Sequence, residues 1–250
     1  MKNLRLFFSL LLAILFSAFS MGNLRAENIS AAFNHANQLY ERQKFLDAAA
    51  AYGKIIQTGQ ISSALYFNLG NARFKAGQIG RAILAYRQAE KLSPRDPEIR
   101  ANLYFSRSKV LGGNPLASNF LIRVLNRFTL NEWTLFTAAL AAIFFLLLAL
   151  RQWRMKKNLQ TFTKIVGGIF IFCALSLGLV AQQQLLTESA VVIVPEAVAR
   201  RGPFDESQSF FTVRDGAELT VLDRKNNWLQ IADVQNRIGW LPQGQVVIVN

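Results

Sequence analysis

Few residues in this chain are able to do chemistry, and they do not converge. There is one histidine, His35, and one cysteine, Cys173. A nucleophile needs a base within hydrogen-bond reach, and general acid–base work needs titratable groups that meet. Cys173 sits inside an uncharged apolar run, far in sequence from His35. A single thiol builds neither a disulfide nor a thiolate metal site. Glu41 and Asp47 could meet on a helix surface, but two exposed carboxylates read as solvated charge. Gly112-Gly113-Asn114-Pro115 lacks the lysine of a phosphate-binding loop and reads as a hinge. No catalytic residue, metal ligand or cofactor is expected, and the chain reads as a non-enzyme.

The elements around these residues explain why. Trp133 to Leu150 carries no charge, and neither does Ile165 to Ala181. Between them lie Arg151, Arg154, Lys156, Lys157 and Lys164 without an acidic residue. As helices the two runs cover roughly 25–27 Å each, close to the hydrocarbon thickness of a bilayer. The expectation is two transmembrane helices, 133–150 and 165–183, joined by a basic loop, 151–164. The positive-inside tendency puts that loop in the cytoplasm and everything else on the far side. Neither run holds the buried charge that a transporter or proton relay needs. Gly167, Gly168, Ser176 and Gly178 are small enough to let helices pack closely. The net charge of +13 is partly this loop. A nucleic-acid partner would want a clustered basic face with aromatics, and an exported chain argues against one.

Residues 1–26 read as a signal peptide: Lys2 and Arg5, an apolar core from Leu6 to Phe19, then small residues. Ala18-Phe19-Ser20 and Leu24-Arg25-Ala26 are alternative cleavage sites, and an uncleaved anchor exports the chain equally well.

Residues 29–110 repeat with a period of 34: Tyr40 with Phe74, Ala48 with Ala82, Tyr52 with Tyr86, Leu69 with Leu103. Such a period marks stacked helix pairs. The units are 29–62, 63–96 and a capping helix, 97–110. Gly77 breaks the second pair at its turn, and Gln43 replaces that glycine in the first. Gly70 and Ala82 allow close helix approach, and Arg100, Asn102, Arg107 and Lys109 make the capping helix polar on one face. Tyr66, Leu69, Gly70, Ala82, Tyr86, Ala89 and Pro94 resemble the tetratricopeptide pattern. That resemblance implies an all-α peptide-binding stack whose first helices line a groove. Its expected lining is Phe33, Asn37, Tyr40, Phe67, Asn71, Phe74 and Lys75. One subclass clamps a C-terminal carboxylate with basic residues. Asn37 and Asn68 agree with that subclass, but Phe33, Glu98 and Asn102 stand where it has Lys or Arg.

Residues 111–132 form a linker, with Leu116, Phe120, Leu121, Val124 and Phe128 at the spacing of an amphipathic surface helix. Thr129 to Glu132 then starts the first apolar helix. Residues 189–250 turn to short alternating segments. Strands are expected at Val191–Val194, Phe210–Val213, Glu218–Asp223, Trp228–Ala232, Gly239–Leu241 and Val246–Val249, with Ala197 to Asp205 as a loop. That implies a small all-β barrel. Ala197-Val-Ala-Arg-Arg-Gly-Pro203, Trp228-Leu-x-Ile231 and Gly239-Trp-Leu-Pro242 resemble bacterial SH3-like domains. Phe210, Trp228 and Trp240 are the candidate groove there.

The order of parts is more specific than any part. Export signal, tetratricopeptide units, two membrane helices and a C-terminal SH3-like barrel resemble the BatE-type proteins of the Bacteroides aerotolerance (Bat) operon. The resemblance implies a component of the bacterial inner membrane with both soluble domains in the periplasm. Its implied partners are other Bat proteins, in a role of oxygen or envelope-stress tolerance. Peptidoglycan, met through the SH3-like domain, is the alternative partner.

Overall fold

The computed structural model describes residues 29–112, 125, 127–153, 157–182, 185 and 188–249. The expected signal peptide and most of the expected amphipathic linker helix lie outside these residues. The chain divides into two compact units, the first ending at Ser106.

The 34-residue period of the first unit is visible down to its backbone. Helix α1 covers 29–41, followed by α2 (Phe45–Gln57), α3 (Ser63–Lys75), α4 (Ile79–Leu92) and α5 (Pro97–Leu111). Gln43 and Gly77 both adopt left-handed backbone, at φ 61° and 79°. At the first turn Lys44 N donates to the Leu39 carbonyl, and at the second Gln78 N donates to Arg73, both at 2.9 Å. With the paired bonds from Gln43 N to Tyr40 and Gly77 N to Phe74, each turn is a Schellman motif. The helix starts repeat as well. Ser62 Oγ accepts from Leu65 N at 3.1 Å, and Asp96 Oδ1 accepts from Glu98 N and Ile99 N. These caps satisfy donors that a helix start leaves orphaned.

Small residues set how closely the pairs approach. Ala36, Ala48, Ala72, Ala82 and Ala89 are fully buried. A Cβ on Gly70 would lie 2.6 Å from two carbons of the Tyr86 ring. Glu41 and Asp47 fall on different helices, α1 and α2, on either side of the left-handed turn. They do not share the helix surface expected of them, because Gln43 interrupts the helix between them.

In the second unit α6 (Leu130–Trp153) and α7 (Lys157–Ala181) form an antiparallel hairpin. A capping box starts α6: Thr129 N donates to Glu132 Oε2 at 2.9 Å, and Glu132 N donates to Thr129 Oγ1 at 3.2 Å. Trp133 Nε1 donates to the Leu125 carbonyl, and the Phe128 ring meets Trp133 and Phe136 edge-on. Gly167 seats Phe144, whose ring would lie 2.8 Å from an added Cβ, and Phe144 stacks on Phe170 at 6.0 Å. Gly168 and Gly178 face open space, whereas Gly167 seats a ring of the facing helix and Ser176 is buried. Both helices run further into the basic segment than its charge implied, leaving 154–156 between them. Charge there marks the edge of the apolar run, not the helix end, since Lys, Gln and Arg are good helix formers.

The C-terminal part is a seven-stranded antiparallel sheet of order β3-β2-β6-β5-β4-β1-β7. Its strands are β1 (Ser189–Val192), β2 (Glu196–Arg200), β3 (Ser209–Arg214), β4 (Glu218–Lys225), β5 (Trp228–Ala232), β6 (Ile238–Pro242) and β7 (Val246–Val249). Strand β2 corrects the loop expected from Ala197 to Asp205. Ala197 and Ala199 point into the core, both fully buried. Their side chains are too small to produce the bulky alternation that marks a strand. The core joins them to Ala190, Val192, Phe211, Leu219, Leu229, Ile231 and Leu241. Gly239 lets β6 close against β2, since a Cβ would lie 3.0 Å from Ala199 Cβ and 3.1 Å from Phe211.

Candidate functional site

The first unit carries a hydrogen-bond pattern that repeats with its helices. Tyr52 OH donates to Asn37 Oδ1 at 2.6 Å, and Tyr86 OH donates to Asn71 Oδ1 at 2.7 Å. Both pairs join the first helix of a unit to the second, and donor and acceptor are each 34 residues from their counterparts. Asn102 of α5 extends the second pair, its Nδ2 donating to Asn71 Oδ1 at 3.0 Å. Asn68, which stands 34 residues before Asn102, bonds Tyr52 in the first. The tyrosine rings are 2% exposed. Burial pushes the Tyr52 phenol up to about 12, with Tyr40 adding and the Asn68 bond opposing. Burial raises Tyr86 and Tyr40 as well. The Tyr52 and Tyr86 phenols are therefore neutral donors to their asparagines.

Around these polar pairs stand the aromatics. Phe33 meets Tyr52 edge-on at 5.8 Å, and Phe67 meets Tyr86 at 6.0 Å. Phe74 meets Phe105 of α5 at 5.6 Å. Phe33, Asn37, Tyr40, Phe67, Asn71 and Phe74 are all half-buried. Of the expected lining, Phe33 and Asn37 are thus joined through Tyr52, and Phe67 and Asn71 through Tyr86. Tyr40 instead packs on Phe45 beside the first turn, at 5.3 Å. Lys75 is exposed at the C-terminal end of α3. The sequence reading missed the part of α5. Asn102 is turned onto Asn71 and does not belong to the polar outer face assigned to it, and Phe105 adds a ring that is 52% exposed. The Asn68–Asn102 spacing carried that signal.

In the barrel, pairing puts Arg200 opposite Trp240, and Gln230 opposite the same tryptophan on its other side. Trp228 is two residues from Gln230 and faces Pro242, so both tryptophans emerge on one side of β5–β6, each half-buried. Phe210 is the extra residue of a bulge, because Ala199 pairs with Phe211 and Arg200 with Ser209. The Arg201 guanidinium covers the Phe210 ring at 4.6 Å. Arg200 Nη1 donates to the Ser207 carbonyl at 2.7 Å, fixing the loop after β2. The two tryptophans share a face, whereas Phe210 stands beyond them at the bulge.

Two family models match this chain. A TPR repeat matches residues 70–103, and a bacterial SH3 domain matches residues 194–247. The modules are a tetratricopeptide stack and an SH3-like barrel. No curated protein matches the chain. Both modules are typically non-catalytic interaction domains, and no enzyme family is indicated. Among the described residues no three His, Cys, Asp or Glu side chains gather as metal ligands.

Proposed function

We propose that this protein is a membrane-anchored scaffold holding partner proteins at the outer side of a bacterial cytoplasmic membrane. The observation that carries the reading is the outer surface of the α6–α7 hairpin. Leu135, Phe136, Phe145, Phe172 and Leu175 are each more than half exposed there. Large contiguous apolar surface is stable only against lipid or another protein. The apolar stretches Leu130–Leu150 and Gln160–Ala181 are long enough to cross a bilayer. The basic segment 151–164 favours the cytoplasmic side, so both modules sit on the opposite side.

The groove chemistry favours an extended peptide. Each asparagine Oδ1 is occupied by a tyrosine hydroxyl, which leaves its Nδ2 as the donor for a ligand acceptor such as a peptide carbonyl. Phe33, Phe67, Phe74 and Phe105 offer apolar contacts beside those donors. The order of modules supports placing the protein in a Bat-type envelope complex, with other Bat proteins as partners. A second reading, that the barrel contacts peptidoglycan, rests on Trp228 and Trp240 sharing an open face beside Arg200.

Crosslinking pull-down from intact membranes tests the scaffold. The full chain should recover a discrete partner set that is lost when residues 29–110 are deleted. Recovery of the same abundant proteins with and without that segment would refute it. Retention of residues 189–250 on purified cell wall would favour the second reading.

A further inference from the structure

The two ends of the helical stack differ. α5 covers the C-terminal end, burying its own Ile99 and Leu103 against the stack. Among the described residues the N-terminal end carries an open cavity of about 710 Å3 between α1 and α2. The repeat shows what kind of face this is. His35 and Ala51 line the cavity. Their counterparts 34 residues on, Leu69 and Ala85, are 3% and 2% exposed, because the first unit packs on them. The cavity face is therefore a stacking face, and a solenoid end left apolar calls for a covering element.

The residues of α2 on that face say what covers it. Asp47, Ala50, Ala51, Lys54 and Thr58 line the cavity, at the three-and-four spacing of a helix–helix seam. Asp47 and Lys54 stand two turns apart, roughly 10 Å along the helix. Both are exposed, and neither forms an ion pair among the described residues. Their midpoint falls between Ala50 and Ala51. This arrangement is self-complementary. If a second α2 is laid antiparallel across the first about that midpoint, Asp47 of each copy meets Lys54 of the other. The alanines then lie at the axis, where small side chains let two helices approach.

We propose that the N-terminal face of the stack is closed by the same face of a second copy of this chain, in an isologous two-fold dimer through α2. In such an interface each residue meets its partner twice, so two Asp47–Lys54 pairs flank an alanine centre. The C-terminal end cannot provide the same closure, since α5 already covers it. The dimer doubles the number of peptide grooves on one assembly.

Cysteine crosslinking of the full-length protein in its membrane tests this. Ala50→Cys is made in a Cys173→Ser background, with Ala101→Cys on exposed α5 as control. A residue at the axis meets its own counterpart within disulfide reach, about 7 Å between Cα atoms. Oxidation should give covalent dimer from Ala50→Cys and not from Ala101→Cys. Adding Asp47→Lys or Lys54→Asp alone replaces two attractions by two repulsions and should cut the dimer fraction roughly tenfold. Combining both reversals should restore it, and a fold defect would not be repaired in that way. No crosslink above the control, a crosslink indifferent to the single reversals, or a double reversal that fails to restore it would each overturn the proposal.

Discussion

Replacing Gly70 by alanine separates close packing from helix propensity, because the two effects have opposite signs here. Alanine in a helix interior gains about 0.8–1.0 kcal/mol over glycine. At Gly70 the new methyl would lie 2.6 Å from Cδ1 and Cε1 of Tyr86. Ordinary contact begins near 3.4 Å, so the ring must shift by most of an ångström. Tyr86 is 2% exposed and its hydroxyl is held by Asn71 at 2.7 Å. Overpacking of a filled core costs about 1–3 kcal/mol, and a strained hydrogen bond about 1 kcal/mol more. The net expectation is a loss of about 2 kcal/mol once the helix gain is subtracted. Gly53 provides the control: it lies within α2, with nothing inside 4 Å of its added Cβ. Gly53→Ala should stabilise by about 0.8 kcal/mol. Native-state hydrogen exchange on the full-length protein reads both. Amides of α3 and α4 should exchange roughly 30-fold faster in Gly70→Ala, and amides of α2 about fourfold slower in Gly53→Ala. If Gly70→Ala slows exchange as Gly53→Ala does, the packing argument is wrong.

Other substitutions test other parts of the account. Tyr52→Phe should destabilise the stack by about 1 kcal/mol by removing the bond to Asn37. The raised phenol also sets an alkaline limit. Because the folded value of about 12 lies above the usual 10, the stabilisation is full below pH 10 and fades as pH rises through 12. Alkaline unfolding monitored by circular dichroism should show less pH dependence in that window for Tyr52→Phe than for the parent. Gln43→Gly should stabilise the first turn by about 1 kcal/mol, since only the side chain makes its left-handed backbone costly, and amides near the end of α1 should exchange more slowly. Gly239→Ala should cost the barrel about 1–3 kcal/mol, because the methyl meets Ala199, Phe211 and the Arg200 carbonyl within 3.3 Å. The change should appear as a lower melting temperature by tryptophan fluorescence.

The helical unit was legible because its constraints are periodic. A spacing of 34 fixed the helix pairs, the turn at Gly77 and the unusual turn at Gln43. Polar residues at the same spacing were harder to read. Asn102 looks like solvent-facing polarity on its own helix; its 34-residue spacing from Asn68 hints otherwise, and its bond to Asn71, 31 residues earlier, shows that it turns inward. The barrel strand at Glu196–Arg200 was hidden for the opposite reason. Its core residues are two alanines, whose small apolar area makes a weak pattern even when fully buried. The apolar helices were found from uncharged length alone, but their ends were not. Helix formation continues through Lys157 to Lys164, where lipid compatibility stops.

The central claim is that both binding modules stand at one face of a membrane, tethered by the hairpin between them. Reporter fusions at Asn37, Lys156 and Asn250, in cells carrying the full chain, test it directly. The account predicts that Asn37 and Asn250 report export and that Lys156 reports cytoplasm. A cytoplasmic signal at Asn37 or Asn250, or an exported one at Lys156, would contradict it.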